Sequence, residues 1–270
     1  MLIRTLLIIS CCCFAFVSQA EQLIIGGSGT DLSTFRILGA RFEQLHPQVR
    51  VIVRPSVGSS GGIKAVRKQI FHLGLLSREP RPSERHQTLR FQYYAKTPLV
   101  FAVSENSPVD DVTSRQLAEF YSGVRTTWHH GQAARPILRA NSDSDTLILR
   151  QSFAEFARAL DLAYQRPQLV IAKTDQEAAH MIANVPGALG TSNLALIRTG
   201  KEKLKALTLN GVNPDRLTDI HPNYPLYKSL FLVYRPTPAN KTLQEFLRFL
   251  TSDTAKQLLK DTGHIHLSTQ

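Results

Sequence analysis

Cysteine is scarce in this chain and confined to its first residues. The three cysteines, Cys11, Cys12 and Cys13, all lie in an N-terminal segment with the pattern of an export signal. Once that segment is removed no cysteine remains, which excludes disulfide bonds, thiolate metal sites and a cysteine nucleophile. Long apolar runs are also lacking, because no later stretch approaches the roughly 20 apolar residues of a membrane-spanning helix.

Common nucleotide and metal motifs are lacking as well. Neither glycine cluster spells GxGxxG, and Lys64 does not stand where a P-loop requires its lysine. The histidine pairs at 129–130 and at 264 and 266 have no carboxylate or cysteine spacing to complete a metal site. Arginines are scattered and aromatic residues make up 8% of the chain, which disfavours nucleic-acid binding. We therefore predict no cofactor, no metal and no nucleic-acid partner.

The N-terminus has the three parts of a signal peptide. Arg4 supplies a positive start, residues 6–17 a mostly apolar middle, and VSQA at 17–20 a small-residue cleavage site. We predict a signal peptide at 1–20 and a periplasmic mature protein. Two alternatives remain open: a buried N-terminal helix, and a lipoprotein, because IISC at 8–11 loosely matches a lipidation box.

The mature chain is basic and of moderate length. Without Arg4 the 32 Lys and Arg residues become 31, which against 21 acidic residues leaves a formal charge of +10. The remaining residues, about 250, suffice for one large domain or two lobes with separate cores. The charge suits an anionic membrane surface, nucleic acid or a small anion, although much of it is expected to be ordinary solvated surface.

Apolar runs typical of strands alternate with helical patterns, which predicts an α/β fold with largely parallel sheets. No glycine- or proline-rich boundary divides the chain into two sequential domains. The predicted strands are 23–25, 49–53, 73–76, 99–103, 137–138, 170–172, a strand after 186–191 that ends near 196, and 230–234. The predicted helices run from a cap at Thr30 or Asp31 to before Pro47, and over 62–71, 114–120, 147–160, from Thr174 onward, and 242–259.

Serine–glycine clusters follow the first two predicted strands, GGSGT at 26–30 and GSSGG at 58–62. Glycines let the backbone approach a ligand closely, and the free N–H groups that open a helix attract negative charge. A third polar loop, DSDT at 143–146, follows Arg139, which is suited to a two-point contact with an oxyanion. Because such loops lie at the carboxyl ends of strands, we predict that they converge on a small anion. Ordinary N-capping would explain any one of them alone.

A serine hydrolase is a competing interpretation. Residues 58–62 also match the GxSxG nucleophile elbow, with Ser60 at its centre, and Asp219 and His264 follow in the order of such triads. Against this interpretation, only two predicted strands precede the elbow and no HGGG oxyanion segment precedes it.

Six segments spread over the mature chain carry a family resemblance. They are GGSGT at 26–30, GSSGGIK at 58–64, LGLLSR at 73–78, LAEFYSG at 117–123 with Trp128, PGALG at 186–190 and YPL at 224–226. Together they resemble the periplasmic phosphate-binding proteins of phosphate ABC transporters, which are type II periplasmic binding proteins. The resemblance implies an α/β fold of two lobes, each a mixed sheet flanked by helices. Lobe 1 would comprise 21–95 and 226–270, and lobe 2 would comprise 96–225.

The resemblance also implies the residues that contact the ligand, and the serines of the two clusters add hydroxyl donors beside the helix starts. The candidate ligand-binding residues are Ser28, Thr30, Asp31, Ser59, Ser60, Ser77, Arg78, Arg139, Asp143, Ser144, Asp145 and Thr146. The family's third loop has GSGT where this chain has DSDT, and an apolar residue where Asp31 stands. A carboxylate ~4 Å from a dianion costs several kcal/mol at an effective dielectric of about 20. Either these aspartates turn outward to cap helices, or the ligand is partly protonated or has a cationic end.

We predict a non-catalytic, monomeric solute-binding protein that closes on phosphate or a similar oxyanion. Its partner would be an ABC transporter permease or a membrane sensor. A sensory or scaffold relative with an altered ligand is the alternative from another functional class.

Overall fold

The computed structural model describes residues 20–236 and 240–265. The predicted signal peptide, except for residue 20, lies outside the described residues, as do its three cysteines and His266. None of the helices in the described ranges combines the length and the apolar character needed to cross a membrane.

Most strands of the described residues belong to one sheet in the order β2-β1-β3-β11-β4-β8-β6-β7, with β9 paired to β4, while β5 and β10 form a separate parallel pair. Their bounds are β1 Glu21–Gly27, β2 Val49–Val53, β3 Leu73–Leu76, β4 Arg90–Ser104, β5 Asp111–Val112, β6 Arg135–Arg139, β7 Val170–Ala172, β8 Ala188–Asn193, β9 Leu204–Ala206, β10 Thr208–Leu209 and β11 Tyr227–Tyr234. The α/β class predicted from the sequence is confirmed.

The sheet is mixed, whereas the alternation of elements predicted largely parallel sheets. β1 is parallel to β2 and β3, and β6 is parallel to β7 and β8. β11 is antiparallel to β3 and β4, and β4 is antiparallel to β8. The cause is β4, which runs through both halves of the sheet: its residues up to Pro98 pair with β11 and those from Leu99 pair with β8 and β9.

Helices cover both halves of the sheet. They are α1 Leu32–Leu45, α2 Gly58–Arg67, α3 Ser114–Ser122, α4 Ser144–Ser152, α5 Ala154–Tyr164, α6 Asp175–Asn184, α7 Leu194–Thr199, α8 Lys241–Leu250 and α9 Asp253–Asp261. We call β1–β3 with α1, α2, α8 and α9 the first half, and β6–β8 with α3–α7 the second half. Each half has its own buried core: Phe35, Phe42 and Phe246 pack in the first, and Phe101, Tyr121 and Phe156 in the second.

Helix α2 begins at Gly58, four residues before the predicted start. The GSSGG segment is therefore the first turn of the helix and not a loop. A Cβ added to Gly62 would lie 2.9 Å from the Gly27 Cα, so the glycine lets α2 pack directly on β1. Gly58 opens the helix with a positive φ of 70°, which glycine adopts without strain.

Two further elements differ from the sequence prediction. The helix predicted over 147–160 is interrupted at Phe153, which is extended (φ −138°, ψ 121°) and separates α4 from α5. Its ring packs toward Phe156 in the core, 6.1 Å between centroids. Leu196, predicted to end a strand, lies in α7, because Asn193 caps that helix by accepting a hydrogen bond from the Leu196 N–H at 2.8 Å.

Candidate functional site

A cavity of about 250 Å³ lies where the carboxyl ends of strands from both halves meet. Ser28 follows β1, Ser77 follows β3, Ser144 lies after β6 and Asp175 after β7. Sites of open α/β sheets form at such strand ends. The lining consists of Ser28, Ser56, Val57, Gly58, Ser59, Ser60, Ser77, Arg78, Arg81, Arg139, Ala140, Ser142, Asp143, Ser144, Lys173, Thr174 and Asp175.

A chain of hydroxyl groups joins the two halves at this cavity. The Ser28 hydroxyl donates to Ser77 Oγ at 2.9 Å, and Ser77 Oγ lies 3.2 Å from Ser144 Oγ in the other half. Ser59 Oγ accepts a hydrogen bond from the Ser77 N–H at 3.2 Å. Because a hydroxyl can both donate and accept, these groups can turn toward an oxyanion without leaving a buried polar atom unpaired.

The start of α2 faces the same cavity through residues 57–60. Its N-cap residue, Val57, has no capping side chain, and Ser56 Oγ accepts only a long hydrogen bond, 3.5 Å, from the Gly58 N–H. The first N–H groups of a helix lack partners within the helix and attract anions. By contrast, Asp143 caps α4 by accepting from the Asp145 N–H at 3.0 Å. The α2 start is therefore the better anion site of the two.

Arg139 lies on the cavity wall with its charge already engaged. One guanidinium nitrogen donates to Asp143 Oδ2 at 2.9 Å and lies 3.8 Å from Asp175 Oδ2. Another donates to the Ala172 carbonyl at 3.2 Å. Its Nε is buried and has no hydrogen-bond partner among the described atoms. The guanidinium therefore keeps N–H groups without a hydrogen-bond partner in the described part of the chain, among them the buried Nε–H.

Lys228 holds the acidic groups behind this wall. Its ammonium lies 2.5 Å from Asp145 Oδ1 and 3.2 Å from Asp175 Oδ1, and it is 1% exposed. Burial alone would raise the pKa of Asp175, but the attraction of Lys228 and Arg139 brings it below its usual value. Burial and repulsion from Asp145 raise the pKa of Asp143. The cluster of Asp143, Asp145, Asp175, Arg139 and Lys228 thus has one more carboxylate than it has cations.

Arg78 and Ser60 line the cavity but bind Glu84. Arg78 donates to both Glu84 carboxylate oxygens at 2.7 Å, and the Ser60 hydroxyl donates to Glu84 Oε1 at 2.7 Å. Burial opposes ionisation of Glu84, but these hydrogen bonds outweigh it and lower the pKa of Glu84 to about 2. The arrangement fixes the 82–84 turn against α2 and leaves little of the Arg78 charge for a ligand.

The structure brings most of the predicted site residues together. Those that line the cavity are Ser28, Ser59, Ser60, Ser77, Arg78, Arg139, Asp143 and Ser144. Thr30 and Asp31 do not line it. The Thr30 hydroxyl donates to Asp175 Oδ1 at 3.5 Å, which orients the cluster from behind. Asp31 was also a candidate cap for α1, but its carboxylate accepts from the Tyr94 hydroxyl and lies 3.2 Å from His264 Nε2 instead.

Asp145 and Thr146 also lie outside the cavity lining. Asp145 is buried against Lys228, as described above. The Thr146 hydroxyl donates to the Ala140 carbonyl at 3.0 Å and lies 3.3 Å from the Tyr164 hydroxyl. Of the carboxylates that the sequence left open, Asp143 alone faces the cavity within the described residues, and it also caps α4.

Sequence reasoning missed four charged residues at this site: Arg81, Lys173, Asp175 and Lys228. Lys173 and Asp175 directly follow a predicted strand, so the strand-end rule that selected the other loops would have found them. Lys228 is the one charged residue of β11, a strand that is otherwise mostly apolar, and this is itself a sign of a buried ion pair.

The serine-hydrolase triad does not form. Ser60 binds Glu84, His264 binds Asp31 and the C-terminal end of α9, and Asp219 is an exposed residue whose carboxylate accepts from the Ile220 N–H at 2.7 Å. The three side chains therefore have separate partners, and the triad that the hydrolase interpretation requires is not formed by these residues.

Comparison with known proteins agrees with the fold. A family model described as a PBP superfamily domain matches residues 17–254. The phosphate-binding protein PstS of Borreliella burgdorferi is 23% identical over 260 residues, which cover 92% of this chain and 91% of that protein.

Solved structures share the fold at low sequence identity. A protein of Clostridium perfringens, described as a phosphate ABC transporter substrate-binding protein with bound phosphate, aligns at a TM-score of 0.73 with 18% identity, over 92% of this chain and 100% of that one. The periplasmic molybdate-binding protein of Azotobacter vinelandii aligns at 0.65 with 14% identity, over 91% and 100%. Since the family model spans most of its length, the chain belongs to the PBP superfamily.

Proposed function

We propose that the protein is an extracytoplasmic solute-binding protein that holds phosphate, or a similar small oxyanion, for an ABC transporter. The observation that carries this proposal is the convergence of Ser28, Ser77 and Ser144, from both halves, on one cavity beside the uncapped start of α2. The names of the relatives, two of which refer to phosphate, support the choice of ligand.

In this proposal the oxyanion is bound mainly by neutral donors. The serine hydroxyls and the first N–H groups of α2 contact its oxygens, and the guanidinium of Arg139, which lines the cavity, donates a further hydrogen bond. Asp143 accepts a hydrogen bond from a protonated oxygen of the ligand, so the carboxylate at the cavity need not repel it. A partly protonated oxyanion fits this set of groups.

The remaining sequence predictions enter the proposal with it. The first half corresponds to the predicted lobe of residues 21–95 and 226–270, and the second half to 96–225. Closure of two lobes around a bound ligand presents a new surface to a partner, here a permease or a membrane sensor. Cleavage of the signal peptide, a monomeric state and the lack of catalysis belong to the same proposal.

Thermal unfolding with added ligand tests this function. Phosphate at ~100 times its dissociation constant should add roughly 2.7 kcal/mol, a rise of about 5–11 °C in Tm for a chain of this size. Sulfate and molybdate are compared at the same concentration and at two pH values. Phosphate is added in 10-fold increments up to about 10 mM, a concentration that would saturate even weak sites with millimolar affinity. A Tm that stays unchanged over this range would refute the proposal.

Two variants locate the site. Arg139→Ala and Ser77→Ala should each abolish the phosphate-induced rise in Tm, because the first removes the guanidinium that lines the cavity and the second the centre of the hydroxyl chain. Arg158→Ala and Ser83→Ala are the matched controls, since both residues are exposed and lie outside the cavity lining. Ser77→Ala is the safer test because it removes a single oxygen and no charge. If phosphate still raises the Tm of Ser77→Ala, the ligand binds outside this cavity.

A further inference from the structure

The interior of the cavity does not supply the charge that balances a bound anion. Arg139 and Lys228 face three carboxylates, those of Asp143, Asp145 and Asp175. Arg78 is matched by Glu84. Counted together, these groups carry a net charge of −1 when all are ionised. A dianion placed there would gain hydrogen bonds but no net countercharge.

Two unpaired cations lie at the mouth of the cavity, one from each half. Arg81 belongs to the turn after β3, and Lys173 directly follows β7. Both side chains are exposed, and neither forms an ion pair with an acidic group in the described part of the chain. Arg81 reaches across the cavity mouth, where its guanidinium lies 3.5 Å from the Ser142 carbonyl. The positive charge of the site therefore sits at its entrance and spans both halves.

The cavity is also larger than a single phosphate needs. At about 30 Å³ for each water in the liquid, 250 Å³ corresponds to roughly eight waters. An orthophosphate ion has five non-hydrogen atoms and fills only part of that space. The remaining volume extends toward the mouth, because Arg81, Ser142 and Lys173 line it along with the inner serines.

We infer that the preferred ligand carries two anionic groups: a phosphate held by the inner serines and the α2 start, and a second anion held between Arg81 and Lys173. Diphosphate and short phosphonocarboxylates belong to this class. The inference rests on the proposed function, since it assigns the inner part of the same site to a phosphate group. It also assigns ligand specificity to Arg81 and Lys173 at the mouth, because a ligand with one anionic group, bound in the inner part, would not need these two residues.

Isothermal titration calorimetry with the full mature chain tests this assignment. Orthophosphate, diphosphate and phosphonoacetate are titrated into the wild type, Arg81→Ala, Lys173→Ala and the double variant. Arg158→Ala and Lys260→Ala serve as controls, because each removes an exposed cation of the same type outside the cavity lining. They measure how far the general positive field, which acts on any anion, contributes to affinity.

The wild type is expected to bind a two-anion ligand at least 10-fold more tightly than orthophosphate. Arg81→Ala and Lys173→Ala should each weaken the two-anion ligands about 10-fold and orthophosphate less than 3-fold, while the controls change neither by more than 2-fold. If orthophosphate binds as well as the two-anion ligands, or if the mouth variants weaken all ligands equally, the inference fails and the proposed function stands. If no ligand binds to the wild type, the proposed function fails as well.

Discussion

Removal of the buried Lys228 ammonium should destabilise the protein severely. At 2.5 and 3.2 Å, its attractions to Asp145 and Asp175 amount to about 5–7 kcal/mol each at an effective dielectric of about 20, before the cost of desolvation is subtracted. Loss of one partner from a buried pair typically costs about 3–5 kcal/mol, because the remaining charge is left uncompensated. For Lys228→Met we therefore expect a loss of about 3–5 kcal/mol, or about 6–20 °C in Tm.

Urea unfolding of four proteins measures this effect. Lys256→Met is the control, because Lys256 is 48% exposed and 3.8 Å from Asp253; it should cost less than about 0.5 kcal/mol. The double variant Lys228→Met/Asp145→Asn removes one cation and one carboxylate and so restores the charge balance of the cluster. It should recover about 2 kcal/mol relative to Lys228→Met. A double variant less stable than Lys228→Met would refute the charge-balance argument.

The pH dependence of the same variant gives a second test. Without Lys228, burial should raise the folded-state pKa of Asp175 above the unfolded value of about 3.9. Groups with a raised folded pKa bind protons preferentially in the folded state, so the variant should gain stability as the pH falls from 8 to 5. The wild type should gain less, because the pKa of Asp143 is raised in both proteins but the wild-type pKa of Asp175 is lowered despite its burial, through its attraction to Lys228 and Arg139. If the stability of Lys228→Met stays below that of the wild type by a constant amount over this pH range, lost packing, and not charge, causes the destabilisation.

Two further changes test separate parts of the fold. The hydrogen bonds of Arg78 outweigh the effect of burial and lower the pKa of Glu84 from 4.5 to about 2. Wild-type stability should therefore decrease as the pH falls through this range. Glu84→Gln should cost about 1–2 kcal/mol at pH 7 and converge with the wild type near pH 2, as measured by urea unfolding. Gly187→Ala should cost about 2–4 kcal/mol by thermal unfolding, since φ is 74° and the new Cβ would lie 2.0 Å from the Ala133 carbonyl oxygen. Gly131 has φ 87° but open space around it, so Gly131→Ala should cost only about 1 kcal/mol. Equal losses of stability in the two variants would contradict the clash expected at position 187.

The sequence predicted the elements whose residues follow a simple burial pattern. β3 is an unbroken apolar run and is fully buried on both faces, and α1 carries Phe35, Leu38 and Phe42 at helical spacing toward the first core. Motif placement also located the cavity, because Ser28, Ser77 and Ser144 all follow strand ends. Local pattern and tertiary packing agree at these positions.

Features that depend on distant partners could not be read from local pattern. The GSSGG segment is typical of a loop, yet it is helical because Gly62 faces Gly27 of β1. Asp31 stands where a helix cap is expected, but Tyr94 and His264 offer its carboxylate hydrogen bonds that a sequence does not display. The two-point contact with an oxyanion predicted for Arg139 had the same weakness, because Asp175 on α6 lies 3.8 Å from its guanidinium and neutralises part of its charge.

The first half is assembled from both ends of the chain, and this imposes an order on folding. Phe246, Phe249 and Leu259 complete the core around Phe42, and Ile265 bridges to Lys96. The second half, by contrast, draws its buried residues from one continuous stretch, 99–226. Contacts between distant segments form slowly because a long loop must close first. The middle of the chain can therefore acquire its core early, whereas the first half stays open until residues near 265 have joined it.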